Sequence, residues 1–138
     1  MRVHFKAMES YGPGNAAAQA ATANRVDLIQ MLFDGLLESL TAAQGHLQRG
    51  AIQEKGKCLA RASRIVVGLQ SSLDFEKGGE LAQNLNELYS YVTRRLLHAN
   101  ARNDAQALSE VLGLMGDIRQ AWAEVPSLVP PQILGTLH

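Results

Sequence analysis

The chain has 138 residues, in which 13 Lys plus Arg balance 13 Asp plus Glu, and it carries one cysteine. This length makes a single domain that buries roughly two-thirds of the surface its unfolded form exposes. Balanced charge removes the attraction that would draw it to nucleic acid or an anionic membrane, and the lone Cys58 excludes an internal disulfide, which favours a reducing, cytoplasmic setting.

Residues 1–23 read as a flexible N-terminal arm. Arg2, His4, Lys6 and Glu9 interrupt the apolar residues at the start, so no secretory signal is expected. Further on, Gly12-Pro13-Gly14 disfavours a helix in a stretch of small residues. No apolar run in the chain approaches the roughly 18 residues of a membrane span, so no membrane insertion is expected.

Residues 24–125 read as the helical bundle. Asn24 and Asp27 have the spacing of a capping box, and Ile29, Leu32, Leu36, Leu40, Ala43 and Leu47 recur at helical intervals behind them. Val26, Phe33 and Leu37 lie off that stripe, so the first helix is apolar nearly all round and is expected to be covered on more than one side. Gly50 closes it. A second helix follows at Ile52, Leu59, Ala62, Val66, Leu69 and Leu73, widened by Ile65.

After a connection over Asp74 to Gly79, a third helix carries Leu81, Leu85, Leu88, Val92, Leu96 and Ala99 on one face. Tyr89 and Tyr91 point to different sides of it, so at most one belongs wholly to the core. Asn103 with Gln106 suggests a cap for a fourth helix through Leu108, Val111, Leu112, Met115, Ile118 and Trp122. Pro126, Pro130 and Pro131 are expected to end it and leave residues 126–138 as an irregular tail. The fold class is therefore all-α, an antiparallel up-and-down four-helix bundle with a mobile arm and a tail.

Chemistry is conspicuously thin in this pattern. A di-metal bundle needs Glu-x-x-His pairs, and none of the glutamates has a His three residues on. His4, His46, His98 and His138 include no pair at chelating spacing, and His46 and His98 fall near helix C-termini, where the dipole favours them. Gly50, Gly56 and Lys57 imitate a phosphate-binding loop, but five residues separate the glycines where four are required, and Cys58 stands where Ser or Thr should. Cys58 itself lies on an apolar helix side with no His nearby in sequence and reads as core filler. Arg94, Arg95 and Arg102, and separately Arg61 and Arg64, lack interleaved aromatics and read as solvated helix faces. No catalytic, cofactor or metal site is expected; the chain reads as a binding module, not an enzyme.

The run Ser72-Leu73-Asp74-Phe75-Glu76-Lys77-Gly78-Gly79-Glu80-Leu81-Ala82-Gln83-Asn84-Leu85 is unusual, because two adjacent glycines ahead of a helix are costly and leave room for an approaching backbone. Continued through Leu88-Tyr89-Ser90-Tyr91 and Arg94-Arg95-Leu96-Leu97-His98-Ala99-Asn100, it resembles the flagellin export chaperones of the FliS family. Met31-Leu32-Phe33-Asp34-Gly35, Asn103-Asp104 and Ala121-Trp122 extend the resemblance over Tyr11 to Trp122. The sequence departs from many relatives at Asn24-Arg25-Val26 and at Ser90.

The resemblance implies a cytoplasmic bundle that holds the C-terminal helical segment of flagellin, prevents premature polymerisation and assists delivery to the flagellar export gate. An apolar helix laid in an apolar groove is a physically reasonable mode for such capture. The expected client contacts are Leu73, Asp74, Gly78, Gly79, Ala82, Leu85, Leu88 and Tyr89, with Met31 and Leu32 as floor residues. Met8 and Tyr11 resemble the apolar residue and tyrosine that precede the family's bundle, and the Gly12 to Gly14 hinge would let them cover the groove until a client displaces them. Ordinary core burial is the competing explanation for each leucine, since periodicity does not say which stripe faces a client. The export gate and an anti-sigma factor stay open as further partners. The alternative reading is a self-associating four-helix structural or regulatory adaptor.

Overall fold

A computed structural model describes the backbone of residues 15–128 and the side chains of residues 24–124. Met8, Tyr11 and the chain beyond Leu128 lie outside the described residues. Four helices make up the fold: α1 (Asn15–Gln48), α2 (Ile52–Ser71), α3 (Phe75–Arg102) and α4 (Ala105–Leu128). Short connections force antiparallel neighbours, and α1 packs on α2 and α4 while α3 packs on α2 and α4. The diagonal pairs α1–α3 and α2–α4 make no close backbone approach, so the four helices form the expected up-and-down bundle.

One core runs along its axis. Val26, Ile29, Phe33, Leu36, Leu40 and Ala43 enter from α1, and Leu59, Ala62, Val66 and Leu69 from α2. Opposite them lie Ala82, Tyr89, Val92, Leu96 and Ala99 of α3, with Ala107, Leu108, Val111, Met115 and Trp122 of α4. Ile29 and Phe33, one turn apart, share the face of α1 that is buried between its neighbours α2 and α4.

Helix ends follow local chemistry. α1 closes in a Schellman motif: Gly50 adopts φ 74°, its N–H donates to the Leu47 carbonyl at 3.1 Å, and the Ala51 N–H donates to His46 at 2.8 Å. Asn103, at φ 50° and ψ 44°, ends α3 in the left-handed region, a conformation asparagine tolerates better than most residues. Asp104, not Asn103, caps α4, its Oδ1 accepting from the N–H groups of Gln106 at 3.0 Å and Ala107 at 3.1 Å. The two residues thus divide the work: one ends a helix and the next begins another.

Three boundaries differ from the sequence reading. α1 begins at Asn15, not at Asn24, because Ala16, Ala17, Ala18, Ala20, Ala21 and Ala23 are strong helix formers and the breaking Pro13-Gly14 lies just before them. α4 continues to Leu128, so Pro126 falls in its last turn, where a missing N–H removes only one terminal bond. The expected loop over Asp74 to Gly79 is instead a helical turn starting at Phe75, broken at Gly79. Asp74 caps that turn, accepting from the Lys77 N–H at 3.0 Å.

Candidate partner-binding surface

The core stripe read from leucine spacing is rotated in the folded chain. Leu81 and Ile52, both assigned to apolar stripes, are exposed, whereas Ala82 and Tyr89 are buried. α3 presents its Ala82–Tyr89 flank inward, seven residues and two turns apart; counting leucines passes over a small residue and an aromatic one on the same face. Burial pushes the Tyr89 phenol above its ordinary pKa, so it stays neutral there. Tyr91 does point elsewhere, its hydroxyl donating to Glu110 Oε1 on α4 at 2.9 Å.

The expected contact residues therefore separate by depth. Leu73, Ala82 and Tyr89 are buried in the closed bundle. Leu32, Leu85 and Leu88 are partly buried and pack against the rim of the core. Asp74 is committed to the cap of α3. Gly78 is half-buried, and its N–H donates to the Asp74 carbonyl at 2.8 Å. Gly79 is exposed at φ 52° and ψ −129°, with no atom within 4 Å of where a Cβ would stand. Met31 is 69% exposed and belongs to α1, on the far side of the bundle from α3, so it does not join the cluster at the start of α3.

Sequence reading missed most of the exposed apolar set. Met31, Ile52, Val67, Phe75, Leu81 and Leu97 are each at least 44% exposed. All six lie on α1, α2 and α3; among the described residues, α4 contributes none. Val67 is one turn from Gln70, and Leu97 two turns from Ser90, so both flank the seam where Gln70 Nε2 donates to Asn86 Oδ1 at 2.8 Å and Ser90 Oγ at 2.9 Å. On the other side of α2, Gly35 of α1 lies one turn from Met31 and meets Arg61 and Ile65. Gly68, one turn further along α2, has open space where a Cβ would be.

Polar contacts reinforce the flanks of α4 instead. Arg119 Nε pairs with Asp34 Oδ1 at 2.9 Å, tying α4 to α1, and that carboxylate raises the guanidinium's pKa. Arg95 Nε pairs with Glu110 Oε1 at 3.0 Å, tying α4 to α3, while the Tyr91 hydroxyl and then Arg95 hold the Glu110 carboxyl below its usual range. His98 Nε2 lies 3.0 Å from Asp104 Oδ2. The Ala107 N–H, followed by His98, likewise lowers the Asp104 pKa. Among the described residues no ion pair bridges either flank of α2, where Arg61 Nη1 instead donates to Ser39 Oγ at 2.5 Å and to the Gly35 carbonyl at 3.3 Å.

A further polar contact fixes the top of α3. Lys55, 2% exposed, donates its Nζ to the Asn100 carbonyl at 2.9 Å and to Asn103 Oδ1 at 2.6 Å. Asn100 belongs to the last turn of α3, whose carbonyls have no helical donor and carry the negative end of the dipole. A lysine four residues before Leu59 on the apolar stripe was the sequence signal for this contact.

No group of three or more His, Cys, Asp or Glu among the described residues is arranged to hold a metal ion, and no described helix is long and apolar enough to cross a membrane. The arrangement is that of a surface with apolar side chains along two helix seams.

Comparison with known proteins gives the same direction. The family model described as Flagellar protein FliS matches residues 7–128. The flagellar secretion chaperone FliS of Salmonella typhimurium is 44% identical over 119 residues, covering 86% of this chain and 88% of that protein. FliSB of Pseudomonas aeruginosa is 44% identical over 118 residues, 86% of this chain and 94% of its own length. FliS of Escherichia coli K12 is 42% identical over 130 residues, 94% of each. With matches of this extent and an all-helical bundle of the expected topology, the chain belongs to the FliS family of flagellar secretion chaperones.

Proposed function

We propose that this chain is a non-enzymatic export chaperone that binds the C-terminal helical segment of flagellin in the cytoplasm, keeps it from polymerising early and assists its delivery to the export gate. The observation that carries this reading, beside family membership, is the one-sided distribution of exposed large apolar side chains. Val67 and Leu97 beside the α2–α3 seam, and Met31 one turn from Gly35 on the α1–α2 side, stay exposed although the core is closed. An amphipathic helix that must later pack into a filament presents a face of the matching kind, and leaving that face in water invites association. Ordering such a segment costs about 2 to 5 kcal/mol, so several anchors of about 1.5 to 3 kcal/mol each are required, which a long two-seam surface supplies.

Leu32, Leu85 and Leu88 are proposed as the rim the client touches, and Gly78 and Gly79 as a place where its backbone lies close. Leu73, Ala82 and Tyr89 support that rim from inside; a client reaches them only if the bundle opens. The arm around Met8 and Tyr11 is proposed to cover part of the groove in the free chain, which predicts slower hydrogen exchange in the arm without flagellin peptide than with it. Calorimetric titration of the full chain with the flagellin C-terminal segment tests the reading. Saturable binding at equal stoichiometry is expected, and a stable dimer indifferent to the peptide would overturn it in favour of a self-associating adaptor.

A further inference from the structure

We propose that residues 129–138, the chain beyond α4, fold back on the apolar patch at the start of α3, with Leu81 and Phe75 as the side chains they cover. The patch lies apart from the two seams beside α2 but adjoins Gly79 and Leu88, so a client that reaches those residues displaces the tail. Leu81 is 51% and Phe75 44% exposed, on either side of the break at Gly79, where the surface is open. Leu81 lies two turns before Leu88 and four before Arg95, whose guanidinium reaches Glu110 of α4. It therefore sits on the flank of α3 that meets α4.

Topology brings the chain's exit to the same place. α3 and α4 share the connection Asn103-Asp104, and the 24 residues of α4 run about 36 Å back along α3. Its last residue, Leu128, comes level with the first turns of α3. The ten residues that follow, Val129-Pro130-Pro131-Gln132-Ile133-Leu134-Gly135-Thr136-Leu137-His138, contain no Asp, Glu, Lys or Arg and four large aliphatic side chains. Pro130-Pro131 disfavours further helix, and ten residues of chain reach at most about 33 Å from Leu128. A segment of this composition gains by leaving water when an apolar patch is within reach.

The N-terminal segment is the poorer occupant. It leaves from α1, the helix diagonal to α3, whose first residues project past the level of Trp122, where Trp122 Nε1 donates to the Val26 carbonyl. A flagellin segment or a second copy of the chain would have to compete with a ligand tethered a few residues away, whose effective concentration is in the millimolar range.

Two paired cysteines in the full chain, on a Cys58→Ser background, test the proposal. Leu81→Cys with Leu134→Cys should oxidise to an internal disulfide about tenfold faster than Met31→Cys with Leu134→Cys, because proximity raises effective concentration. Equal rates, or disulfides between chains in place of the internal one, would overturn it. A second measurement needs no substitution: hydrogen exchange at residues 80–85 should be several-fold faster in a chain ending at Leu128 than in the full chain, and unchanged exchange would count against the tail. Acceleration there on removing residues 1–14, with none on removing the tail, assigns the cover to the N-terminal segment and also overturns the proposal.

Discussion

Lys55 is a buried cation whose loss leaves two acceptors at a helix end without their donor. Its Nζ satisfies the Asn100 carbonyl and the Asn103 amide oxygen, and no carboxylate among the described residues shares the site. Lys55→Ala should lower the unfolding free energy by about 2 kcal/mol, since it strands acceptors at a helix end and empties the space of the stem. Lys55→Met keeps the stem and should cost less; the urea midpoints of the two variants give the comparison. The carboxylates of Glu110 and Asp104 act at the same scale. Both have folded pKa values below their usual range, so the stability they supply is present above their unfolded pKa values and is lost as pH falls through the folded ones. The urea midpoint should therefore decline below about pH 4, and Glu110→Gln should make that decline shallower.

At the scale of the helix, the start of α3 depends on two residues with different roles. Asp74 supplies the N-cap, and Asp74→Ala should cost about 1 kcal/mol by leaving the Lys77 N–H without its acceptor. Gly79 supplies a backbone conformation that an L-residue resists. The space around it is open, so Gly79→Ala meets no clash and its cost of about 1 to 3 kcal/mol is backbone strain alone. Thermal unfolding should show both losses, and a larger side chain at Gly79 should cost little more than alanine does. Gly68 is the opposite case: it lies within α2 at ordinary helical geometry with open space, so Gly68→Ala should stabilise the helix by about 1 kcal/mol. Whether that methyl also obstructs a client beside Met31 can be read from peptide affinity.

For the whole molecule, the division between a polar-stapled α4 and apolar seams beside α2 predicts a division in function. Val67→Glu and Leu97→Glu should each weaken binding of the flagellin segment by about tenfold or more, since burying an unpaired charge opposes docking. Ser109→Glu, on the exposed side of α4, should leave it unchanged. All three positions are on the surface, so circular dichroism and urea midpoints should stay near wild type. Equal loss at all three sites would show that the client does not discriminate between the faces.

Much of this protein is local and so is legible residue by residue. Helical spacing in Ile29 to Leu47, Leu59 to Leu69 and Leu108 to Trp122 identifies the helices because each apolar stripe repeats within a few residues of chain. Gly50 marks its helix end because a positive φ is a property of that one position. Likewise, the motif over Ser72 to Asn100 carried the family resemblance without any structure. What the fold alone decided involves two helices at a time. Leu81 carries the same periodic signal as Leu85, yet one is exposed and the other packs on the core rim, because the break at Gly79 and the neighbours of α3 set which flank turns inward. Asn103 and Asp104 both look like caps in sequence, and their roles separate only once Lys55, 48 residues away, bonds the first. Exposure of Met31, Val67 and Leu97 is a statement about which faces other helices leave uncovered, and no periodicity within a single helix contains it.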